Sequence, residues 1–376
     1  MQRIDHPLLS PSLGSHKTLT SFHFGQPGSG LKIYIQASLH AEELPGMLTA
    51  HHLLGALQAA EAAGVLQGEV VLVPAANPIG LAQRLDHKPM GRFEQDTSEN
   101  FNRHYPDLAS AVLPAVRDTL GPDAHANVQT VRRAIAAYLM QWAPQTELQS
   151  LRKTLLSLAH DADYMLDLHC DCEGVLHFYT EEPCWPQLAP LAHFLGAQAI
   201  LLARNSGNRP IDECLSSAWW QLADLLTATG KQVPLPQGCC STTIELRGEL
   251  DVSHALAQQD AKAIQRWLQH IGVWQTATPP KLPAALCPAT PLAGSQTLFA
   301  TQPGVVVFAA TPGDKLRAGD LVAEVIDPIN QCTERVCAGV DGVFYARIRD
   351  RYITAGGELG KIAGAKAFRS GDLLGA

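Results

Sequence analysis

The amino-acid sequence predicts an α/β domain followed by a smaller β-rich domain. Strand patterns alternate with helical patterns over roughly the first 275 residues, which is typical of an α/β sheet. Five prolines then fall between Thr276 and Leu292, as expected of an extended linker. Beyond them the sequence consists of short β-rich runs separated by glycine. We therefore predict a first domain at 1–275, a linker at 276–292 and a second domain at 293–376.

The first domain is predicted to begin with two strands and a helix. The strands at 17–25 and 31–39 are separated by the turn-forming sequence Gln-Pro-Gly-Ser-Gly. A helix at about 44–65 leads to the strand Glu69–Ala76, whose continuous valines and leucines indicate that both of its faces are covered. Residues 79–105 lack a clean period, and such long segments are usually functional or mobile. Further helices are predicted at 107–118, 127–143, 146–160, 186–195, 213–229 and 252–270, and further strands at Ala162–Leu168, Val175–Thr180, 198–203 and 241–247.

The second domain contains an internal repeat. Gly304-Val-Val-Val-Phe and the later Leu316-Arg-Ala-Gly-Asp-Leu-Val resemble Gly342-Val-Phe-Tyr and the later Ile353-Thr-Ala-Gly-Gly-Glu-Leu. Two halves of about 38 residues predict a small pseudosymmetric β-sandwich. The repeat resembles the biotinyl and lipoyl barrel-sandwich fold, in which a lysine between the halves carries the cofactor. That connection, Ile326–Val340, contains no lysine, which leaves a lid, an oligomerisation surface or a scaffold as its role.

Composition narrows the class of function. The formal charge of -8 and the absence of Lys or Arg runs argue against a nucleic-acid surface. No apolar stretch reaches the ~18 residues that span a bilayer, so we expect no membrane partner. The polar residues Met1–Pro11 lack an apolar signal core, and nine cysteines without framework spacing suggest reduced thiols. We therefore expect a cytoplasmic protein. Its oligomeric state stays open, with a homo-oligomer among the options.

The first candidate site lies where the strand at 31–39 ends. His40 follows the strand, and Glu43 follows three residues later, before the next helix. A strand-to-helix turn would present both side chains on one side, where they could bind zinc together with a distant third ligand and water. Alone, the pair is also explained by a histidine that lines the helix start and a glutamate that favours the helix dipole.

A second strand end supplies the third ligand. The sequence Tyr164-Met-Leu-Asp-Leu-His169 places His169 just past an apolar strand, at the same edge of the sheet as His40. Asp167, two residues earlier, points to the same side and could orient a ligand or the active-site water. On its own, His169 would be interpreted as an ordinary histidine at the edge of a sheet. The combination with His40 and Glu43 favours a metal site.

Glu245 is the candidate general base. It lies in the apolar, β-branched run Ser241-Thr-Thr-Ile-Glu-Leu, where an unpaired buried charge would cost several kcal/mol. A salt bridge to Arg247 would explain it structurally. Alternatively, Glu245 would take a proton from a zinc-bound water and return it to the leaving group.

The loop sequence Asn100-Phe-Asn102-Arg103 is the candidate substrate-binding group. A guanidinium beside a side-chain amide suits a substrate carboxylate, and Arg92 upstream could then polarise the scissile carbonyl. Arginines in loops are also often simply solvated.

In this order and spacing, the motifs His40-Ala-Glu-Glu43, Asn102-Arg103, Asp167-Leu-His169 and Thr243-Ile-Glu245 resemble the succinylglutamate desuccinylase and aspartoacylase family of zinc carboxypeptidase-like hydrolases. The resemblance covers about residues 30 to 250. It implies a three-layer α/β/α domain with a mixed, largely parallel sheet. It also implies one zinc ion per chain and gives a role to each motif: zinc ligands His40, Glu43 and His169, general base Glu245, carboxylate binders Asn102 and Arg103, and carbonyl polariser Arg92.

The chain departs from the family pattern at three points. Asn100 stands where many relatives have an aspartate that would brace the arginine. Arg84 is a rival to Arg92. Aspartoacylase-like members place a tyrosine from the second domain in the pocket, and neither Tyr345 nor Tyr352 can be matched to it from sequence.

The expected function is zinc-dependent hydrolysis of the amide bond in a small N-acyl amino acid, with Glu245 as base. A capping second domain would admit only small substrates, whereas a zinc carboxypeptidase would accept peptides. A non-catalytic metal-binding or scaffold protein that uses its β domain for interaction is the alternative from another class. It gives no reason for Glu245 or for Asn102-Arg103. The acyl group and the amino acid cannot be read from the sequence.

Overall fold

The fold is built on a large sheet with helices on both faces, and the computed structural model describes it over residues 1–375. The helices are α1 Pro45–Ala62, α2 Pro78–Ala82, α3 Leu108–Val116, α4 Ala124–Gln141, α5 Glu147–Ala159, α6 Trp185–Leu195, α7 Ile211–Ala228 and α8 His254–His270. The strands up to residue 291 are β1 Gln2–Pro7, β2 Thr18–Gly25, β3 Lys32–Ala37, β4 Glu69–Val73, β5 Arg84–Leu85, β6 Lys88–Pro89, β7 Tyr164–Asp171, β8 Glu173–Gly174, β9 Leu176–Glu181, β10 Ala199–Ala203, β11 Cys240–Gly248 and β12 Thr290–Pro291.

The large sheet is mixed and mostly parallel. Its strand order is β1-β2-β4-β3-β7-β11-β9-β10-β12. The central strands β4, β3, β7 and β11 run parallel to one another, as do β9, β10 and β12. Antiparallel pairs join β11 to β9 and the edge strands β1 and β2 to β4. The expected sheet type is therefore confirmed.

Two apolar clusters fix the helices on opposite faces of this sheet. One cluster joins side chains of α3, α4, α5 and α7 to residues such as Tyr34 and Met165. The other joins α1, α6 and α8 to residues such as Ile35 and Leu166. Since successive strand residues point to opposite faces, the sequence alternation of β3 and β7 supplies both layers. The result is the three-layer α/β/α arrangement.

The C-terminal region adds antiparallel sheets that follow the sequence repeat. Its strands are β13 Ser295–Phe299, β14 Gly304–Phe308, β15 Lys315–Leu316, β16 Leu321–Asp327, β17 Cys332–Cys337, β18 Gly342–Arg347, β19 Tyr352–Ile353 and β20 Glu358–Gly364. They pair in the orders β13-β20-β18-β15 and β17-β16-β14-β19. The short strand β15 of the first half thus pairs in the sheet of the second half, and the short strand β19 of the second half pairs in the sheet of the first. This exchange is the pseudosymmetric arrangement that the repeat predicts.

Two strand pairings connect the C-terminal region to the large sheet and the loop after β7. Strand β8, directly after β7, pairs with β18. Thr290–Pro291, at the end of the proline-rich segment, pairs with β10. The division into domains at 276–292 stays a prediction.

Some elements differ from the sequence expectation. Strand β1 was not predicted, because its sequence Gln-Arg-Ile-Asp-His-Pro is mostly polar and the strand lies at the exposed sheet edge. The segment 79–105, expected without regular structure, contains most of the short helix α2 and the small hairpin β5-β6. Among residues 1–375, no helix combines the length and apolar composition needed to cross a membrane.

Candidate active site

The site lies at the carboxyl edge of the central parallel strands. Gln36 on β3 is in register with Asp167 on β7, and His169 on β7 is in register with Glu245 on β11. In-register residues of parallel neighbours point to the same face. Asp167 and His169, two residues apart, share that face. The sheet register therefore brings these polar side chains into one row.

His40 and Glu43 enter the site from the turn between β3 and α1. The turn starts at Ser38, whose φ is 58°, and Ser38 Oγ donates to the Glu43 carbonyl oxygen at 2.8 Å. The Glu43 amide donates to the His40 carbonyl oxygen at 3.1 Å. Pro45 then begins α1, where its missing N–H costs nothing. Both side chains are buried, and the turn presents them on one side, as the sequence predicts.

The two histidines and the glutamate converge. Glu43 Oε1 lies 2.9 Å from His40 Nδ1, and Glu43 Oε2 lies 2.8 Å from His169 Nδ1. One ligand atom from each of the three residues falls within 4.8 Å of the others. The two histidines are 129 residues apart in the sequence, and the parallel sheet brings them together, as expected.

The hydrogen bond that the His40 ring makes on the side away from Glu43 leaves its Nδ1 able to bind a metal ion. His40 Nε2 donates to Asn100 Oδ1 at 2.8 Å, and the same oxygen accepts from the Asn102 amide at 2.8 Å. Burial lowers the pKa of His40 to about 4, so this imidazole is neutral at pH 7. Its Nδ1 lone pair therefore faces a carboxylate oxygen of Glu43. Two acceptors at 2.9 Å repel unless a cation lies close to both; Arg92 Nη1 lies 3.4 Å from each, and a metal ion would bind both directly.

The His169 ring is likewise contacted on the side away from Glu43, in this case by a carboxylate. Its Nε2 lies 2.9 Å from Asp167 Oδ2, and Gln36 Nε2 donates to Asp167 Oδ1 at 3.0 Å. Burial lowers the pKa of His169, but Asp167 and Glu43 raise it well above its ordinary value. A proton and a metal ion therefore compete for His169 Nδ1. Two imidazoles and one carboxylate are a ligand set of catalytic zinc, and a carboxylate such as Asp167 on the far nitrogen is a common partner of zinc-bound histidines.

Glu245 lines the same cavity of about 550 Å³ as His40, Glu43 and His169. The salt bridge with Arg247 considered from sequence does not form, since Arg247 pairs with Asp260 instead. Among the described residues, Glu245 Oε2 has no hydrogen-bond partner. Burial and the nearby Glu43 raise the pKa of Glu245 to about 8. This carboxyl group is thus placed near the metal-binding atoms and titrates close to neutrality, which suits a general base.

Arg92 and Arg84 occupy different environments. Arg92 Nη1 lies 3.4 Å from both Glu43 Oε1 and His40 Nδ1, and the residue lines the cavity. Arg84 lies on the exposed hairpin β5-β6 and is absent from the described residues that line the cavity. Arg92 is therefore the arginine that can contact a carbonyl bound in the site.

Asn102 and Arg103 are buried and line the cavity together. Asn102 Oδ1 accepts from the Ile211 amide at 2.9 Å, and Asn102 Nδ2 lies 3.4 Å from His169 Nε2. Arg103 Nη1 donates to the Asn102 carbonyl oxygen at 2.8 Å. The side chain of Asn100, the departure noted above, contacts His40 and leaves Arg103 without a carboxylate brace from that position.

The C-terminal sheets contribute residues that the sequence analysis missed or left open. Tyr345 is buried in the cavity wall, and its hydroxyl lies 2.8 Å from Ser295 Oγ and 3.4 Å from the Tyr179 hydroxyl. Tyr352 is 65% exposed. Lys361 also lines the cavity, with Nζ 3.4 Å from Asp171 Oδ2. A lysine inside the apolar run of β20 was a signal of the same kind as Glu245.

Asp212 and Glu213, in the first turn of α7, also line the cavity and were missed. Asp212 Oδ2 accepts from Thr243 Oγ1 at 3.0 Å. Burial raises the pKa of Asp212 to about 6 and that of Glu213 to about 7. Acidic residues at a helix start usually favour the helix dipole, so no sequence pattern marks these two as residues of the site.

Comparison with known families gives one match over most of the first 275 residues. The model described as the succinylglutamate desuccinylase/aspartoacylase catalytic domain matches residues 29–271. That range contains every residue of the candidate site that was predicted from sequence. Comparison with curated proteins found no match.

Solved structures resemble the chain over nearly its whole length. One, from Shewanella frigidimarina NCIMB 400 and assigned to the succinylglutamate desuccinylases/aspartoacylases, is 24% identical with a TM-score of 0.84, and the match covers 96% of this chain and 97% of that chain. A family protein from Shewanella amazonensis SB2B is 24% identical with a TM-score of 0.81, covering 96% and 98%. The product-bound ectoine utilization protein EutE (DoeB) of Ruegeria pomeroyi is 17% identical with a TM-score of 0.64, covering 96% and 93%. At these identities the likeness concerns the fold.

Proposed function

Because this chain belongs to the succinylglutamate desuccinylase/aspartoacylase family, we propose that it is a zinc-dependent hydrolase that cleaves the amide bond of a small N-acyl amino acid. One observation supports this most strongly. The neutral Nδ1 of His40 faces a Glu43 carboxylate oxygen at 2.9 Å, beside His169 and in the same cavity as Glu245. A cation site next to a base is an arrangement that can activate water for the hydrolysis of an amide.

His40, Glu43 and His169 would bind one zinc ion per chain. Zinc in such a site supplies Lewis-acid polarisation of a carbonyl and lowers the pKa of a water molecule. The outer contacts would fix the orientation of the two histidines: Asn100 orients His40, and Asp167 orients His169. The ligands therefore need little rearrangement when the metal binds.

Glu245 would move the proton. Its Oε2 would take a proton from the attacking water and then deliver it to the departing amide nitrogen. Both transfers need a carboxyl group that is ionised part of the time near neutral pH. The raised pKa of Glu245 matches that requirement. The products would be a carboxylic acid and an amino acid.

Arg92 and Arg103 would bind different groups of the substrate, the carbonyl of the scissile amide and the carboxylate of the amino acid. Arg92 lies beside Glu43 at 3.4 Å, where its guanidinium can donate to the substrate carbonyl oxygen and stabilise the oxyanion that develops. Asn102 and Arg103 would bind the carboxylate of the amino acid, for which a guanidinium is well suited.

The C-terminal sheets favour a small substrate. Tyr345, Lys361 and Phe299 from these sheets line the cavity together with the catalytic candidates. They leave a cavity of about 550 Å³, which is the size of a small-molecule site. This closure supports a deacylase over the alternative, a zinc carboxypeptidase that accepts small peptides.

The test is zinc quantification coupled to a substrate panel. Purified protein is assayed with N-acetyl and N-succinyl amino acids and with blocked dipeptides. We expect zinc-dependent release of free amino acid from members of the first group. Turnover of dipeptides alone would favour the carboxypeptidase, and zinc-free protein with full turnover would contradict the metal assignment.

A further inference from the structure

Five residues of the segment 369–375 line the candidate active site. Arg369 and every residue from Asp372 to Gly375 line the cavity that also contains His40, His169 and Glu245. This segment follows the last strand of the C-terminal sheets and returns to the large sheet. The segment thus forms part of the wall of the space that a substrate would enter.

Arg103 contacts the backbone of this segment directly. Its Nη2 donates to the Gly375 carbonyl oxygen at 2.7 Å. Its other terminal nitrogen donates to the Asn102 carbonyl oxygen. The guanidinium proposed to bind the carboxylate of a substrate therefore donates to a peptide carbonyl instead.

Several further hydrogen bonds fix the path of the segment. The amides of Leu373 and Leu374 donate to the Ser206 carbonyl oxygen at 2.8 and 3.2 Å. Arg369 Nη2 donates to the Leu373 carbonyl oxygen at 2.8 Å, and Arg369 Nη1 donates to the Ser295 carbonyl oxygen at 3.3 Å. Backbone groups at three successive positions, 373 to 375, are thus recognised.

Side-chain packing agrees with these hydrogen bonds. Leu373 and Leu374 pack against the apolar cluster that contains Leu201 and Tyr345. On the other side, a Cβ at Gly207 would lie 2.5 Å from Asp372 Oδ1. The glycine at 207 therefore leaves room for the side chain of Asp372.

We propose that the Arg103 side of the cavity is a binding site for an extended peptide segment, and that residues 369–375 are its resident ligand, which competes with the carboxylate of the substrate for Arg103. The competition rests on the proposed function, because it assumes that Arg103 binds that carboxylate. A charged carboxylate accepts stronger hydrogen bonds from a guanidinium than a peptide carbonyl does. A substrate can therefore displace the segment.

Hydrogen exchange tests the peptide site without any turnover. In the unmodified protein, the amides of Leu373 and Leu374 are expected to be protected. Arg103→Ala and Arg369→Ala should each speed their exchange about tenfold. Arg335→Ala, which removes an exposed arginine on β17, is the matched control and should leave the exchange unchanged. Unprotected amides in the parent, or the same protection after Arg103→Ala, would overturn the proposal.

Kinetics test the competition. If the segment occupies the site nine-tenths of the time, releasing it should lower the KM about tenfold, because the apparent affinity scales with the competent fraction. Arg369→Ala is expected to show this lower KM with kcat changed by less than about twofold. Leu373→Ser, which weakens the packing instead, should act in the same direction. An unchanged or raised KM in both variants would overturn the competition.

The two proposals fail in different ways. If neither the parent nor the variants hydrolyse an N-acyl amino acid, the proposed function is contradicted, and the exchange rates still decide whether the segment binds at Arg103. If hydrolysis occurs and the exchange rates do not respond to Arg103→Ala, the peptide site is contradicted alone.

Discussion

Glu245 is a partly buried carboxyl group in a cavity wall, in register with His169 on the neighbouring strand. Burial without a compensating partner is costly for an ionised carboxylate, and Oε2 has no protein partner within residues 1–375. The raised pKa is the direct consequence. A general base near a metal site accounts for this placement, whereas a structural ion pair does not, since Arg247 pairs elsewhere.

Glu245→Gln should retain zinc and lose most of the turnover. The amide keeps the shape of the side chain but cannot accept and return a proton. A lost general base typically costs 10²–10⁴ in rate. Steady-state kinetics and elemental analysis of the same preparation check this. The control is Glu334→Gln, on β17 in the C-terminal sheets, which should keep full activity. Activity within about tenfold of the parent would remove Glu245 from the role.

The same substitution should flatten the pH dependence of stability in the metal-free protein. The pKa of Glu245 is about 8 in the folded chain against the ordinary value of 4.5. Between these values the folded state binds the extra proton, so the contribution to stability is present below about pH 4.5 and is lost as the pH rises through 8. Thermal unfolding from pH 4 to 9 measures this.

In that experiment the parent should lose more stability over the interval than Glu245→Gln, which has no carboxyl group to titrate. Asp212 and Glu213 act in the same direction, so the difference between parent and variant isolates Glu245. Parallel pH curves for the two proteins would show that its folded pKa is ordinary.

At the scale of elements, the site depends on how closely α1 approaches the strands that precede the ligands. A Cβ at Gly46, in the first turn of α1, would lie 2.9 Å from the Leu168 carbonyl oxygen and 3.2 Å from Ala37 Cβ. Leu168 is adjacent to His169, and Gly46 is three residues from Glu43. The glycine therefore sets the distance between the turn and strand β7.

Gly46→Ala should destabilise the protein by about 1–3 kcal/mol, the usual cost of overpacking, and should weaken zinc binding because it separates the two ligand-bearing elements. Gly55→Ala in the same helix is the matched control, since a Cβ there meets no atom of the described chain within 4 Å. Alanine for glycine inside a helix should stabilise by roughly 0.5–1 kcal/mol. Equal effects of both substitutions on melting temperature and zinc affinity would contradict this account.

The elements also show how far sequence reasoning reaches. His40, His169 and Glu245 were predictable because each interrupts or ends an apolar run, and parallel strands end at one edge. Strand β1 was missed because an exposed edge strand has no apolar alternation. Tyr345 and Lys361 could not be placed, because they reach the cavity through contacts between distant segments, such as the pairing of β8 with β18. Local patterns predict which strand carries a residue but contain no signal for contacts between distant sheets.

At the scale of the whole molecule, the C-terminal sheets close the cavity that the large sheet opens. Lys361 Nζ lies 3.4 Å from Asp171 Oδ2, and Arg347 and Arg351 each lie 2.6 Å from an oxygen of Glu173. Both carboxylates lie just past His169. These ion pairs join the two regions beside the candidate metal ligands, so movement of the C-terminal sheets would displace residues next to the site.

Lys361→Met should destabilise the protein by about 1–3 kcal/mol, the cost of leaving a partly buried charged group without its partner. Burial raises the pKa of Asp171, and Lys361 is the first of several groups that together lower it below its ordinary value, so the lysine helps to keep this carboxylate ionised. Lys366→Met, at an exposed position, is the control. Chemical denaturation measures both, and equal stability of the two variants would show that the ion pair contributes nothing.

The central claim is that His40, Glu43 and His169 bind one zinc ion. Elemental analysis of the purified full chain, beside His169→Ala and the exposed-histidine control His51→Ala, tests it most directly. We predict one zinc per chain in the parent and in the control, and none in His169→Ala, with circular dichroism showing all three folded. A folded His169→Ala protein that retains one zinc per chain would contradict the claim.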